Sequence, residues 1–336
     1  MLQSRTFSRR SFAALLLGAV PAAGLMAQTS ADPLPSWRDS VTKRAILEFL
    51  WKTTSSESSN YVPPSERDVV FDNDGTLWIE QPVYPEVAFA VDRLKALLPQ
   101  HPEWQDREVF QAALAGDMTA LAKGGLHTMG AVALASHADT TPDAFHGLVS
   151  KWLIAARHPR FNRPYTACIY QPMLEVLALF RSHDYRTCIV TGGTTEFLRS
   201  WAQNVYGVPP EQVIGTTVKS NYLLQGGRAE VVQLAEIADF NEGANKAVNI
   251  SRVLGRRPLA AFGNSDGDYQ MLQFTTTGPG IRLGVLIHHD DGEREYAYDR
   301  DTNIGRLDRG LTDAAANGWF VTSMKDHWSR IFADQS

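Results

Sequence analysis

The chain reads as an α/β protein, a doubly wound parallel sheet carrying an inserted α-helical cap. Three observations predict this. A short apolar strand, Asp68-Val69-Val70-Phe71, stops at the turn-forming cluster Asp72-Asn73-Asp74-Gly75. Residues 84–157 then keep a helical period with no strand signal. From Pro172 onward helical and apolar-strand patterns alternate, which is the signature of a parallel sheet.

Taken in order, residues 12–27 are a short Ala- and Leu-rich run preceded by Arg5, Arg9 and Arg10, the layout of a signal peptide. Ser8-Arg9-Arg10-Ser11-Phe12 has the form of a twin-arginine export motif, with a plain secretory signal as the alternative. We therefore expect residues 1–31 to be removed and the mature protein to be periplasmic or secreted, without stable membrane insertion. An amphipathic helix over residues 36–51 and a polar, Pro-containing linker make up residues 32–64. Residues 65–80 and 165–336 form the predicted core, and residues 81–164 the cap. Within the cap, Val87, Phe89, Val91 and Leu94 share one helical face, and Thr141-Pro142 opens a later helix. In the core, residues 172–181 and 195–205 read as helices and 187–190 as a buried strand. Gly226-Gly227 joins two β-prone runs into a hairpin. Lys246 opens a helix, residues 258–262 form another strand, and residues 282–287 are expected to be the last.

Composition narrows function. The 336 residues are 44% hydrophobic and 21% charged, which excludes disordered and fibrous classes. The formal charge is −5, and loss of three arginines with the leader makes it about −8. No basic field exists for nucleic acid, so a small ligand is expected. Cys168 and Cys188 are the only cysteines; Cys188 lies in an apolar strand, so two buried thiols are expected and a zinc site is excluded.

In a doubly wound sheet ligands gather at the carboxyl ends of strands, and four such segments carry reactive groups. They are Asp72-Asn73-Asp74-Gly75-Thr76, Thr191-Gly192-Gly193-Thr194, Lys246, and Gly263-Asn264-Ser265-Asp266-Gly267-Asp268. A calcium loop is excluded, because Gly75 in its sixth place would put Val70 first and Gln81 twelfth. Asp266 and Asp268 also suit a helix cap. His288 and His289 read as a solvated loop rather than a metal pair, since neighbours on a strand point oppositely. Trp78, Glu80 and Gln81 are placed at the entrance to the site, with a core role equally open for Trp78.

In order and spacing these segments resemble the four motifs of the haloacid dehalogenase superfamily, most closely its phosphoserine-phosphatase-like subgroup. The resemblance implies a Rossmann-like core and an exported phosphatase acting on a small phosphorylated metabolite. Asp72 would be the nucleophile, giving an aspartyl-phosphate, and Asp74 the general acid and base. Gly75, Thr191, Gly192 and Lys246 would hold the phosphoryl group. Mg2+ would be bound by Asp72, the backbone of Asp74 and Asn264, with Asp268 behind them. Asn264 stands where the superfamily usually has Asp, which predicts weaker magnesium binding. Arg157 and Arg160, at the return from cap to core, are candidate contacts for the rest of the substrate. Rival readings on this scaffold are a phosphotransferase or mutase, a phosphonatase using Lys123 or Lys151, and a non-catalytic phosphate-ester or metal-binding protein.

Overall fold

The computed structural model describes residues 32–333, so the proposed leader lies outside the described residues. Strands β1 (Asp68–Phe71), β2 (Arg186–Thr194), β3 (Val213–Gln225), β4 (Arg228–Asp239), β5 (Ala260–Gly263), β6 (Leu283–Asp290), β7 (Ala297–Tyr298) and β8 (Phe320–Ser323) form one sheet. Its order is β4-β3-β2-β1-β5-β6-β7, with β8 also on β6. Pairing is parallel from β3 across to β6 and for β6 with β8, and antiparallel for β3-β4 and β6-β7. The sheet is α/β and doubly wound, as its alternating pattern predicts. It has one more parallel strand than expected, since β6 is not the last.

Helix α1 (Val41–Thr54) begins later than the pattern suggests, because Ser40 caps it by accepting the Lys43 N–H. Between β1 and β2 the chain forms α2 (Pro85–Leu97), α3 (Glu108–Ala115), α4 (Met118–Lys123), α5 (Gly125–His137), α6 (Pro142–Ala155) and α7 (Gln171–Ser182). The first five lie where the cap is expected. Two short helices, α8 (Thr195–Arg199) and α9 (Ala202–Tyr206), replace the single one expected after β2, and Gly207 ends them at φ 69°. The remaining helices are α10 (Ala244–Leu254), α11 (Tyr269–Thr276), α12 (Arg309–Asp313) and α13 (Met324–His327).

Strand β1 is buried at all four residues, as the middle of a sheet covered on both faces requires. Phe71 stacks on its β5 neighbour Phe262 at 4.7 Å, and the Asp72 N–H donates to the Phe262 carbonyl at 2.9 Å. This pairing fixes the start of the first turn against the end of β5. Chain order runs outward from β1 through β2 to β3 and then returns to β5 on the other side of β1. The crevice beside β1 is therefore a topological switch point, where such sheets bind ligands. Cys168 and Cys188 are both buried.

Candidate functional site

The turn after β1 is built to hold Asp72. Asn73 accepts the N–H groups of Thr76 and Leu77 on its carbonyl, and the Gly75 N–H donates to Trp78 at 2.8 Å. Gly75 has φ +76°, and a Cβ there would overlap Asn264 Nδ2 and Glu80 Oε1. The Gly75 carbonyl accepts a hydrogen bond from His289 Nε2 at 2.7 Å. Gly75 thus shapes the turn, and its N–H is spent inside it rather than on a phosphoryl group.

Lys246, in the first turn of α10, reaches the sheet edge with Nζ 2.7 Å from Asp72 Oδ1 and 2.6 Å from Asp268 Oδ1. All three side chains are buried. Asp268 Oδ2 accepts the N–H groups of Asn264 and Ser265 and the Ser265 hydroxyl. Both its oxygens are committed, so Asp268 positions Lys246 and the β5 turn and is not placed as a metal ligand. Asp266 accepts the N–H groups of Asp308, Arg309 and Gly310, capping α12.

Electrostatics follow from burial. Burial and Asp268 push the Asp72 carboxyl well above its usual range, against the pull of Lys246. Burial would lower the Lys246 amine, but Asp268, Asp72 and Glu242 outweigh it and hold it well above an ordinary lysine. Asp74, held by a 2.8 Å hydrogen bond from Trp78 Nε1, is raised by burial to about 6. Glu80 is raised well above its usual range by burial, and its Oε1 accepts Asn264 Nδ2 and the Tyr298 hydroxyl, each at 2.7 Å.

The donor set decides whether magnesium fits. The Thr76 hydroxyl lies 3.4 Å from Asp72 Oδ2 and 3.0 Å from Asn264 Oδ1, so two hard oxygens converge on one corner. Glu80 fixes the amide so that its oxygen faces that corner. The carboxyl groups there outnumber the single lysine, and a divalent cation would favour their ionised forms. Among the described residues no three His, Cys, Asp or Glu side chains converge in a metal-holding cluster. An ion here would also use backbone carbonyl and water, as magnesium commonly does. The residues fit the ion.

Above this corner opens a cavity of about 240 Å³, lined at its floor by Asp72, Asp74, Lys246, Gly192 and Gly193. Thr191 is 2% exposed and its hydroxyl accepts the Gly193 N–H at 3.0 Å, within the irregular end of β2 where its register against β3 shifts. Arg157 and Arg160 are not in the cavity wall. Arg157 hydrogen-bonds the carbonyls of Ile154, Ala155 and Ala156 at the end of α6. Arg160 holds those of Gly292, Glu293 and Glu295 and lies over the Tyr296 ring. Both fasten the cap return, so the expected substrate contact is replaced by a structural one. Lys123 and Lys151 do not line the cavity either.

Two acids escape the sequence argument. Glu86 accepts the Thr194 N–H at 2.8 Å and the Thr194 hydroxyl, and His137 joins this buried network at 3.0 Å from the same hydroxyl. Helices α2 and α5 are thereby tied to the end of β2. Glu242 lies between Gly192 and Gly267, where a Cβ on either glycine would overlap its carboxylate. Its spacing of four residues before Lys246 was a readable signal. His289 is buried rather than solvated, since β6 runs on to Asp290. Trp78 is fully buried and packs on Trp201 at 4.4 Å, combining the core role with its bond to Asp74.

Comparison with known proteins identifies the family. The sequence model of the haloacid dehalogenase-like hydrolases matches residues 69–273. The chain belongs to the haloacid dehalogenase-like hydrolase family. Among solved structures, a protein from Anaerococcus prevotii DSM 20548, titled as conserved and functionally unknown, is 13% identical with a TM-score of 0.50, covering 74% of this chain and 86% of that one. A protein with unknown function from Bordetella pertussis Tohama I is 16% identical with a TM-score of 0.47, covering 76% and 97%. A phosphoserine phosphohydrolase-like protein from Francisella tularensis is 14% identical with a TM-score of 0.37, covering 74% and 98%. No curated protein matches the chain.

Proposed function

We propose that the protein is a magnesium-dependent phosphatase that hydrolyses a small phosphomonoester through an aspartyl-phosphate on Asp72. One observation carries this reading: two carboxyls two residues apart open onto one cavity, one against Lys246 and the other raised to about 6. In this scheme a carboxylate oxygen of Asp72 attacks phosphorus and the ester P–O bond breaks. Asp74 gives its proton to the leaving oxygen. Asp74 then takes a proton from the water that cleaves the acyl-phosphate, which restores Asp72 and releases phosphate. Lys246 and the Gly192 N–H hold the phosphoryl oxygens as charge redistributes. Magnesium, when bound by Asp72, the Asp74 carbonyl and Asn264, offsets the repulsion between dianion and carboxylate. Periplasmic or secreted location is proposed on residues 1–31 alone. Hydrolysis of a broad ester panel, with and without chelator and with Asp72→Asn, tests the scheme. Release of phosphate from p-nitrophenyl phosphate without an added acceptor separates a hydrolase from a transferase. Absence of magnesium-dependent turnover across the panel defeats the reading.

A further inference from the structure

The cavity has a polar side, described above, and an apolar one. Helix α5 presents Leu126, Met129, Gly130, Ala133 and Leu134 to the space, a spacing of three and four that places them along one helical face. None of these five residues has a hydrogen-bonding side chain; the first on this face is His137, at the end of α5. Val87 from α2, Ile237 at the end of β4 and Phe240 complete the apolar wall. Leu126, Ile237 and Phe240 are 52%, 40% and 38% exposed, although each borders a site that should exclude water during reaction. Apolar side chains left open beside a reactive centre are explained by a ligand that covers them.

The charges lining the same space define what it rejects. Glu80, Glu86 and Glu242 face it, whereas its cations are Lys246, committed to Asp72 and Asp268, and Arg306, paired with Asp308 at 3.0 Å. A leaving group bearing a carboxylate or second phosphate would meet three carboxyl groups and no unengaged cation in the wall. Gly130 and Ala133, both small, leave room in the middle of the α5 face. At about 240 Å³ the cavity lies below the roughly 300–1,000 Å³ of drug-sized sites, which suits a few carbons or one ring.

Resting on the phosphatase reading, we propose that the leaving group is apolar and carries no negative charge, so that the substrate class is short alkyl or monoaryl phosphates. The test is a chain-length series from ethyl to hexyl phosphate beside glycerol phosphate and phosphoserine, with kcat/KM measured on the full mature protein. A gain of about fourfold per added methylene is expected from apolar burial, with hexyl phosphate exceeding phosphoserine at least tenfold. The exposed-wall variant Leu126→Ser with Phe240→Ser should lose most of that gain, read as a fall in the ratio of hexyl to ethyl phosphate kcat/KM. Turnover that is flat with chain length, or fastest on phosphoserine, overturns this inference and leaves the phosphatase reading intact. A parallel calorimetric series with non-hydrolysable ethyl to hexyl phosphonates separates the two. Affinity that rises with chain length without turnover of any ester keeps the apolar pocket and defeats the phosphatase reading, and affinity indifferent to length defeats the pocket.

Discussion

Replacing Lys246 by Met removes the one ammonium that separates two buried carboxylates. The two distances of 2.7 and 2.6 Å place the Asp72 and Asp268 oxygens at most about 5 Å apart, where like charges repel by about 3 kcal/mol at an effective permittivity of about 20. Removing one partner of a buried ion pair costs about 3–5 kcal/mol, so a loss in that range is expected from urea unfolding at pH 7. The pH dependence has a definite sign. In the native protein the raised Lys246 amine contributes stability that is complete below the ordinary 10.5 and is lost as pH climbs through the higher folded value. In the variant, Asp72 lacks the pull of Lys246, and its raised carboxyl holds a proton that the unfolded chain releases above the ordinary 3.8. Stability of the variant therefore falls as pH rises from that value, and its deficit should be smaller at pH 5 than at pH 8. Adding Asp268→Asn to the variant exchanges one carboxylate for an amide facing Asp72 and should return at least about 1.5 kcal/mol, half the repulsion. A loss under about 1 kcal/mol, a deficit independent of pH, or no recovery in the double variant refutes the reasoning.

Asp74→Asn should lower turnover of an alkyl phosphate by about 10²–10⁴-fold and that of p-nitrophenyl phosphate less, since its leaving group needs less protonation; single-turnover kinetics give both values. Because Asp74 acts as an acid only when protonated, phosphorylation of Asp72 by an alkyl ester should slow above a pH of about 6. Glu80→Leu removes the acceptor that orients Asn264 and should weaken magnesium binding by about tenfold, whereas Glu80→Gln retains most of it; calorimetric titration with magnesium measures both. Gly75→Ala forces a side chain to φ +76° into Asn264 and Glu80 and should cost more than the about 1–2 kcal/mol of the left-handed backbone alone, read by chemical denaturation. Inorganic phosphate should bind the chelated protein at least tenfold more weakly than the magnesium-loaded one, read by calorimetry.

Local chemistry made the first turn legible: Asp-Asn-Asp-Gly cannot continue a strand, and the four-residue run before it is apolar enough to be central. The helical insertion was legible because its period holds over some seventy residues. Strand β8 was not, since four residues after Gly318 give too short a pattern to distinguish from a loop. Side-chain direction was the main gap. Arg157 and Arg160 have the right charge and chain position for an anionic substrate, but carbonyl groups at the end of α6 and in the 292–295 loop claim them. His288 and His289 do point oppositely, with His288 near Asp299 and His289 inward against Gly75, so the alternation was sound and only the end of the strand was misplaced. Asn264 was legible as a departure from the expected Asp. Glu80, which orients it from 184 residues away in sequence, became a partner only through the fold.

That partnership bears on how an acidic protein can hold a dianion. Of the acids at the sheet edge, Asp266 accepts N–H groups at the start of α12 and Asp268 is paired with Lys246 and accepts three further donors, so neither faces an incoming phosphate uncompensated. Asp72, Asp74, Glu80 and Glu242 remain, and burial raises all four. Each would be easier to ionise beside a divalent cation. The Asn264 amide contributes an oxygen without charge, and Glu80 contributes charge one hydrogen bond behind it. The negative charge the family usually places on the ligand is here displaced by one residue. Metal affinity should therefore depend on the Asn264–Glu80 pair as a unit: Asn264→Asp adds a carboxylate against Glu80 Oε1, so it should strengthen magnesium binding more in a Glu80→Gln background than in the native one.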